Sequence, residues 1–417
     1  MYIFGSTPLI DMTKLRYAVE NAYLDNGGSL EQSKLYKIVS EKLNLNPEHF
    51  KSKVGNQNNV NLLFRKIRWI QQSLKEERLL TRIERGVWEV SGKAKEKLHT
   101  IEQGKSVIAM STTLGVMICS KTESVFGNDI IDEEVHLVLT SPPYILQNPR
   151  AYGGPTESRE WVNFIMGIIN KIKPRMADGC SIALNIGQDS FHTRQPARVT
   201  HLERLVITME DAGFWLVDRL IWESNKAPGP IAWTSKERYM LKNAYEFVLH
   251  FTNNPLKLMS SNQRVLLPHT DKHKSFVRGG GTRVAASNSD GAHRKRVGDY
   301  ANTDLEKGKL ASNVLYFPNK CTRNEEVNRY ADAIQVARHG AKFPYSLAEF
   351  LVRYLCPEGG LVLDPFGGSG TVAAACENTN RRWYSIEPIL EYIKQSFIRF
   401  KSLADDVWFN PEFLKDA

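Results

Sequence analysis

The 417-residue sequence is poor in cysteine and contains no long apolar run. Its five cysteines are scattered singly without a CxxC pair, which argues against a disulfide framework or a zinc site and predicts reduced thiols. No apolar stretch is long enough to span a bilayer, and the first residues lack the features of a secretory signal. We therefore expect a cytoplasmic protein that enters no membrane and needs no metal.

Positive charge, in contrast, is in excess, with a formal net charge of +9. Two segments carry most of it: residues 1–100 hold 17 Lys and Arg against 11 Asp and Glu, and residues 253–320 hold 12 against 5. Basic residues clustered in this way favour a polyanionic partner, and double-stranded DNA is the expected one.

Residues 10–98 have the pattern of a small helical unit closed by a hairpin. Three amphipathic segments, "DMTKLRYAVENAYLDNGG", "LEQSKLYKIVSEKLNL" and "NVNLLFRKIRWIQQSLKEERLL", precede two short alternating strands around Arg85-Gly86. This order resembles a winged helix, and its closing segment is similar to the N-terminal domain of Mrr-type restriction proteins. The resemblance implies a DNA-binding domain at 1–105, whose third helix would present Arg65, Lys66 and Arg68 to DNA. The same cations could instead form the solvated face of a helix whose apolar side packs inward.

From about residue 113 strands alternate with helices, which predicts an α/β domain with a mostly parallel sheet, at 106–417. The exception is residues 253–320, a segment rich in Gly, Ser, Asn and basic residues with no sustained period. A long stretch of this kind in a compact domain is usually a functional insertion, so we predict that it recognises the DNA target. Its candidate DNA contacts are Arg278, Arg283, Arg294, Lys295 and Arg296.

The segment "VHLVLTSPPYILQ", residues 135–147, ends an apolar strand in two prolines. Proline has no N–H and cannot continue a hydrogen-bonded ladder, so the strand must stop there. The candidate catalytic residues are those of this turn: Ser141, Pro142, Pro143 and Tyr144.

A second landmark is "GGLVLDPFGGSGTVAAACENTNRRWYSIEP", residues 359–388. Here a strand runs through a glycine-rich turn into an Ala-rich helix, and glycines at such a turn let a ligand approach backbone amides. Glu387 ends the next predicted strand, where its carboxylate could accept both ribose hydroxyls of a nucleoside-like cofactor. Alone this pattern is weak evidence, because many α/β proteins, dinucleotide enzymes included, share it.

The pairing of Asp-Pro-Phe-x-Gly-x-Gly-Thr with Ser-Pro-Pro-Tyr is much more specific. Over roughly residues 113–400 the sequence resembles the S-adenosylmethionine-dependent amino-methyltransferases of DNA, in the circularly permuted β-group order. It is similar in particular to the cytosine-N4 enzymes of type II restriction-modification systems. The resemblance implies a Rossmann-like, doubly wound sheet and methyl transfer from S-adenosylmethionine to the N4 amine of a cytosine flipped out of duplex DNA.

The resemblance also implies a role for each candidate residue. The Ser141 hydroxyl and the Pro142 carbonyl would accept the amine hydrogens, while Tyr144 would stack on the flipped base. Asp364 would hold the amino end of the cofactor and Glu387 its ribose. The remaining cofactor candidates lie in the glycine loop and beside the methionine end of the cofactor: Pro365, Phe366, Gly368, Gly370, Thr371, Lys342, Phe343 and Pro344.

One position departs from the family pattern, because Ser120 stands where these enzymes commonly carry an acid that contacts the adenine side of the cofactor. For Trp222, Trp233 and Tyr245 we expect core packing rather than base contact. Two other functions stay open: adenine-N6 methylation, since Ser-Pro-Pro-Tyr occurs in both groups, and DNA-binding regulation with a decayed catalytic domain. A monomer or a dimer is expected, with a cognate restriction endonuclease that acts on the same site without necessarily binding this chain.

Overall fold

The computed structural model of the chain forms a small N-terminal unit and a larger α/β unit. No helix within the described residues is long and apolar enough to cross a membrane. The structure describes residues 12–26, 28–54, 57–76, 80–84, 86–90, 99–145, 155, 157–192, 195–225, 231–281, 300 and 302–414.

The N-terminal unit packs helices against a small antiparallel sheet. Along the chain its described elements are α1 (Met12–Asp25), β1 (Ser29–Glu31), α2 (Gln32–Lys42), β2 (Lys51–Val54), β3 (Gln57–Asn61), α3 (Leu62–Glu76), β4 (Leu80–Glu84) and β5 (Val87–Val90). The sheet has the order β1-β5-β4, so a strand between the first two helices joins the predicted hairpin. A further hairpin, β2–β3, precedes α3 and delays its start relative to the sequence pattern. The winged-helix interpretation stays a prediction.

Helix α3 owes its position to its apolar spacing. Leu63, Ile67, Ile70 and Leu74 recur every three or four residues, and each is at most 2% exposed. The Asn61 side chain accepts a hydrogen bond from the Phe64 amide at 3.1 Å, which satisfies a backbone donor at the helix start. The basic side chains of this helix therefore lie on its outer faces.

The α/β unit is built on one large mixed sheet. Its strands are β6 (Val107–Thr112), β7 (Gly115–Cys119), β8 (Val135–Thr140), β9 (Met176–Ile186), β10 (Trp215–Glu223), β11 (Tyr245–Thr252), β12 (Val314–Tyr316), β13 (Leu361–Asp364), β14 (Arg382–Glu387) and β15 (Val407–Phe409). Their order is β12-β10-β11-β9-β8-β13-β14-β7-β6-β15. The strands from β9 through β8, β13 and β14 to β7 are parallel, and antiparallel pairs flank them on both sides.

Helices cover both faces of this sheet, which confirms the predicted doubly wound α/β fold. They are α4 (Thr122–Gly127), α5 (Ser158–Ile172), α6 (His201–Asp211), α7 (Asp271–Arg278), α8 (Thr322–Ala333), α9 (Tyr345–Leu355), α10 (Thr371–Glu377), α11 (Leu390–Ser396) and α12 (Pro411–Leu414). Two separate apolar clusters result, one containing α9 and α10 and the other α5 and α6. Because helices cover strands β8 and β13 on both sides, the sequences of these strands are nearly continuous apolar runs.

The permuted order of the two motifs is visible in the pairing of β8 with β13. These strands are far apart in the sequence, yet they are parallel neighbours in which Val138 pairs with Leu363. The carboxyl ends of parallel strands meet at one edge of a sheet, so the Ser-Pro-Pro-Tyr turn and the glycine loop are brought together there.

Two observations bear on the predicted domain boundaries, which stay predictions. The α/β unit includes residues before 106, because the His99 amide donates to the Glu391 carboxylate and Thr100 bridges Ile389. Both ends of the predicted insertion at 253–320 contact the α/β unit. At one end the Arg264 guanidinium binds the Tyr354 carbonyl at 2.8 Å, and at the other β12 adds to the sheet edge beside β10.

Candidate active site

Four strand ends surround one cavity of about 280 Å³ at the carboxyl edge of the parallel strands. Strand β8 contributes the Ser-Pro-Pro-Tyr turn, β13 the glycine loop, β14 its terminal Glu387 and β7 the residues that follow it. Most of the residues predicted from the sequence line this cavity: Ser141, Pro142, Pro143, Tyr144, Lys342, Phe343, Asp364, Pro365, Phe366, Gly368, Thr371 and Glu387.

The Ser-Pro-Pro-Tyr turn is held from two sides. The Trp161 indole N–H, on α5, donates to the Pro143 carbonyl at 2.6 Å. The ring of Tyr144 lies directly on Gly187, where an added Cβ would come within 2.8 Å of the tyrosine Cε2 atom. The turn therefore has little freedom to rotate, and its side chains are fixed at the mouth of the cavity.

A polar network continues from this turn into the sheet. The Ser141 hydroxyl donates to the Tyr144 hydroxyl at 3.1 Å, and the Tyr144 oxygen lies 2.9 Å from the Glu246 Oε2 atom and 3.1 Å from the Asn185 Oδ1 atom. Glu246 is only 9% exposed, and Asn185 donates to it from its own amide at 3.2 Å. Sequence reasoning missed Asn185 and Glu246, which come from β9 and β11 and belong to no recognisable motif.

Asp364 connects β13 to β8. Its Oδ1 atom accepts from the Thr140 hydroxyl at 2.6 Å and from the Phe366 amide at 3.1 Å. Burial raises the pKa of this carboxyl to about 6, and the two hydrogen bonds oppose that rise. The last residue of β8 is thereby fixed to the last residue of β13.

Glu387 lies at the bottom of the glycine loop. Its two carboxylate oxygens accept from the Gly368 amide at 2.8 Å and the Ile389 amide at 3.0 Å. Burial raises the pKa of Glu387 to about 8, against the lowering effect of those two amides. Gly368 adopts φ +51°, and a Cβ there would lie 2.6 Å from the His339 Cε1 atom, so the loop needs glycine for both reasons.

Basic groups gather beside the glycine loop. Burial, with Arg399 and Arg338 nearby, lowers the pKa of Lys342 to about 8, and its amine donates to the His339 carbonyl. The Arg399 guanidinium fixes the glycine loop by donating to the Ser369 carbonyl at 2.7 Å and to the Thr371 hydroxyl at 3.0 Å. Other lining residues that sequence reasoning did not single out are His339, Tyr392, Phe164, Lys121, Thr122 and Glu123.

Two cofactor candidates, Gly370 and Pro344, are not among the lining residues. Gly370 has φ +69° and stands at the cap of α10, and Pro344 stands at the cap of α9. Both shape the backbone that presents their neighbours to the cavity.

Ser120 cannot take over the role of the missing acid in the orientation it has here. Its side chain is fully buried and its hydroxyl bonds to the Ser106 hydroxyl at 2.8 Å and the Lys105 carbonyl at 3.1 Å. The neighbouring residues Lys121, Thr122 and Glu123 line the cavity instead.

The predicted DNA-contacting cations have different surroundings. Arg278 is exposed at the end of α7, whereas Arg283, Arg294, Lys295 and Arg296 lie outside the described residues. On α3 the Arg65 guanidinium lies over the Trp69 ring at 5.0 Å, and Arg68 donates to the Tyr36 hydroxyl at 2.8 Å. Burial lowers the pKa of Lys66, which is only half-exposed.

Core packing is confirmed for Trp222 but not for the other two aromatic residues. Trp222 is 4% exposed and its indole donates to the Phe317 carbonyl at 2.8 Å. Trp233 is half-buried and stacks with Tyr239, because it belongs to a surface segment after β10. Tyr245 is half-buried at the start of β11, edge-on to Phe247.

The cavity fits a nucleoside that carries a charged amino-acid tail. Glu387 at the end of β14 offers a carboxylate for ribose hydroxyls, and Phe366 adds an apolar ring that packs 5.7 Å from the Phe164 ring. Lys342 supplies a cation for the carboxylate of the amino-acid tail. The described residues therefore match S-adenosylmethionine in the chemistry of each part.

Comparison with known proteins agrees with this geometry. A family model described as N6_N4_Mtase, DNA methylase, matches residues 135–397. The type II methyltransferase M.PvuII of Proteus hauseri is 29% identical over 271 residues, which cover 64% of this chain and 79% of that protein. M.BglII of Bacillus subtilis is 26% identical over 267 residues, covering 64% and 63%.

A solved structure shares the fold. It is the structure titled PvuII DNA methyltransferase (cytosine-N4-specific), which superposes with a TM-score of 0.54 at 24% identity and covers 73% of this chain and 92% of that one.

Proposed function

Because this chain belongs to the N6/N4 family of DNA methylases, we propose that it is a site-specific methyltransferase for the N4 amine of cytosine in duplex DNA. Membership of the family makes it a DNA methyltransferase that uses S-adenosylmethionine. The proposal concerns the target amine, the residues that act on it and the biological setting.

The observation that carries the proposal is the position of Ser141 at the same cavity as Glu387 and the glycine loop. For direct transfer the target amine and the methyl group must come within bond-forming distance, so the residues that hold them must line the same cavity. The hydrogen bond from Thr140 to Asp364 supports this arrangement by holding the two strand ends in register.

The exocyclic amine of a base is a poor nucleophile, because its lone pair is delocalised into the ring. Ser141 and the Pro142 carbonyl would accept its two hydrogens, which localises the lone pair. Tyr144 would contact the flipped base, and stacking of about 1–3 kcal/mol per base offsets much of the flipping cost. When bound, S-adenosylmethionine supplies an electrophilic methyl group, and Asp364, Glu387 and Lys342 would hold its amino, ribose and carboxylate parts.

Cytosine is favoured over adenine by two lines of support. The acceptor is Ser141, whereas Asp or Asn in this position is the commoner adenine form. M.PvuII, with 29% identity, shares its name with a solved structure titled cytosine-N4-specific. Adenine-N6 methylation is the second candidate, since the matched family covers both amines. A decayed regulator is disfavoured, because Ser141, Tyr144, Asp364 and Glu387 are all present.

Nucleoside analysis tests the target directly. DNA methylated by the purified chain is digested to nucleosides and separated by mass. N4-methylcytosine is the expected product, and N6-methyladenine in its place would establish the second candidate. A chain that leaves DNA unmodified in the presence of S-adenosylmethionine would contradict both.

The biological setting follows from the relatives, several of which carry type II names. We propose that the chain protects DNA in the cytoplasm in a restriction-modification system, with an endonuclease that acts on the same site. The N-terminal unit would add DNA affinity, and the segment between β11 and β12 would read the target sequence.

A further inference from the structure

A buried carboxylate lies two hydrogen bonds away from the proposed amine acceptor. Glu246, on β11, is 9% exposed, and its Oε2 atom lies 2.9 Å from the Tyr144 hydroxyl. The Tyr144 oxygen in turn accepts from Ser141 at 3.1 Å. A carboxylate buried beside a catalytic turn must be satisfied by donors, and here the donors belong to the site itself.

The direction of this chain of hydrogen bonds follows from the chemistry of its last member. An ionised carboxylate can only accept, whereas each hydroxyl can donate one proton and accept others. Two described acceptors lie within reach of the single proton of Tyr144: Glu246, and the Asn185 Oδ1 atom at 3.1 Å. Because hydrogen bonds to a charged acceptor are the stronger ones, that proton is directed at Glu246. The Tyr144 oxygen is then left to accept the proton of Ser141.

This direction matters for Ser141, because a serine hydroxyl can present either its proton or its lone pairs to a substrate. An amine with two hydrogens needs an acceptor. Once the Ser141 proton is committed to Tyr144, its lone pairs are what remain for the amine.

Asn185 keeps Glu246 in place. Its amide nitrogen donates to the Glu246 Oε2 atom at 3.2 Å and to the Phe247 carbonyl at 3.2 Å, so its orientation is fixed by the strand beside it. The Tyr144 ring is fixed by its contact with Gly187. Within the described residues, the network joins the turn after β8 to β9 and β11.

We propose that Glu246 is a positioning residue that acts through Tyr144 to hold Ser141 as a hydrogen-bond acceptor for the target amine. The role rests on the proposed function, since it presupposes an exocyclic amine as the substrate group. Glu246 is not among the residues that line the cavity, so its effect should fall on the methyl-transfer step rather than on binding.

The test is a double-mutant cycle on the full-length chain, read as single-turnover methyl transfer to DNA with saturating S-adenosylmethionine. The variants are Glu246→Gln, Tyr144→Phe and their combination. Loss of a charge-assisted hydrogen bond predicts a rate about 10- to 100-fold lower for Glu246→Gln, with the Kd for S-adenosylmethionine unchanged within about twofold. In the Tyr144→Phe background, Glu246→Gln should have no further effect, because the hydroxyl through which it acts is gone.

Asp178→Asn is the matched control. It neutralises a carboxylate at the other end of β9, where Asp178 is exposed and pairs with Lys257, and should leave the rate unchanged. If Glu246→Gln does not fold, Glu246→Met, which removes the acceptor while filling a similar volume, is measured in the same two backgrounds.

Two results would overturn the role of Glu246 while leaving the proposed function intact: an active wild type with an equally active Glu246→Gln variant, or losses that multiply in the double variant. A wild-type chain that transfers no methyl group to DNA overturns the proposed function and the role together.

Discussion

The cavity of this protein and the surface that carries the candidate DNA-contacting cations are built in different ways. At the cavity, buried side chains from β8, β13 and β14 bond to one another or to backbone amides, as in the pair Thr140–Asp364. At the surface, Arg278 is exposed, while Arg65 lies over the Trp69 ring of α3 and Arg68 donates to the Tyr36 hydroxyl of α2. Methyl transfer requires fixed positions, whereas binding to phosphates requires charge near a surface. Substitutions at the cavity should therefore impair methyl transfer, whereas substitutions at the surface should impair DNA binding.

The largest effect is expected at Ser141. Ser141→Ala removes the acceptor that localises the amine lone pair, and the methyl-transfer rate should fall about 100-fold or more. Affinity for S-adenosylmethionine and the melting temperature should not change. Ser402→Ala, which alters an exposed serine that does not line the cavity, serves as the control. A Ser141→Ala enzyme with a near wild-type single-turnover rate would remove Ser141 from the mechanism.

Glu387 should control cofactor affinity and its pH dependence. Glu387→Gln should weaken S-adenosylmethionine binding about tenfold or more, since hydrogen bonds to a charged acceptor are lost. The pKa of Glu387 is raised to about 8, so the carboxylate forms as the pH rises. Wild-type affinity, measured by calorimetry, should therefore increase between about pH 6 and 7.5, while Lys342 is still largely protonated.

Stability without the cofactor should move in the opposite direction. The folded-state pKa of Glu387 exceeds its ordinary value of 4.5, so the folded chain binds more protons than the unfolded chain in the window between 4.5 and about 8. The contribution of Glu387 to the free energy of unfolding is present below that window and is lost as the pH rises through it. Glu387→Gln should flatten both pH dependences; an unchanged slope in either would place the titration at another group.

Removing the N-terminal unit should weaken DNA binding and leave the methyl-transfer step unchanged. The chain should be cut after residue 98, because His99 and Thr100 contact the α/β unit. We expect DNA affinity about tenfold lower at physiological salt and a shallower dependence on salt, since phosphate contacts release counterions. S-adenosylmethionine affinity is the control and should stay the same. Equal affinity and equal salt slope in the shortened chain would end the DNA-binding interpretation of this unit.

The smallest effect is expected at Arg278. If this exposed cation contacts a phosphate, Arg278→Ala should reduce the salt slope of DNA binding by about one and leave the rate at saturating DNA unchanged. Arg329→Ala removes an exposed cation from α8 and provides the comparison. Identical slopes for the two variants would show that α7 does not face DNA.

The same contrast explains how far the sequence could be interpreted. Ser141 and Glu387 were identifiable because each ends a strand within a short motif whose residue types follow from the chemistry. Glu246 and Asn185 were not, because they meet only through the antiparallel pairing of β9 with β11. The sequence places Ser120 at the end of a strand, but it cannot show where the side chain points. That direction depends on residues 105–106, which approach Ser120 only in the folded chain.

The hydrogen bond between Thr140 and Asp364 has a consequence for the order in which the protein matures. Its two ends are 224 residues apart, and both β13 and β14 lie between β8 and β7 in the sheet. Loop closure over such a separation is slow, and a ribosome extends the chain from its N-terminus. A nascent chain therefore carries its Ser-Pro-Pro-Tyr turn long before it can form the cavity. We expect enzymatic activity to begin only after synthesis has passed β14.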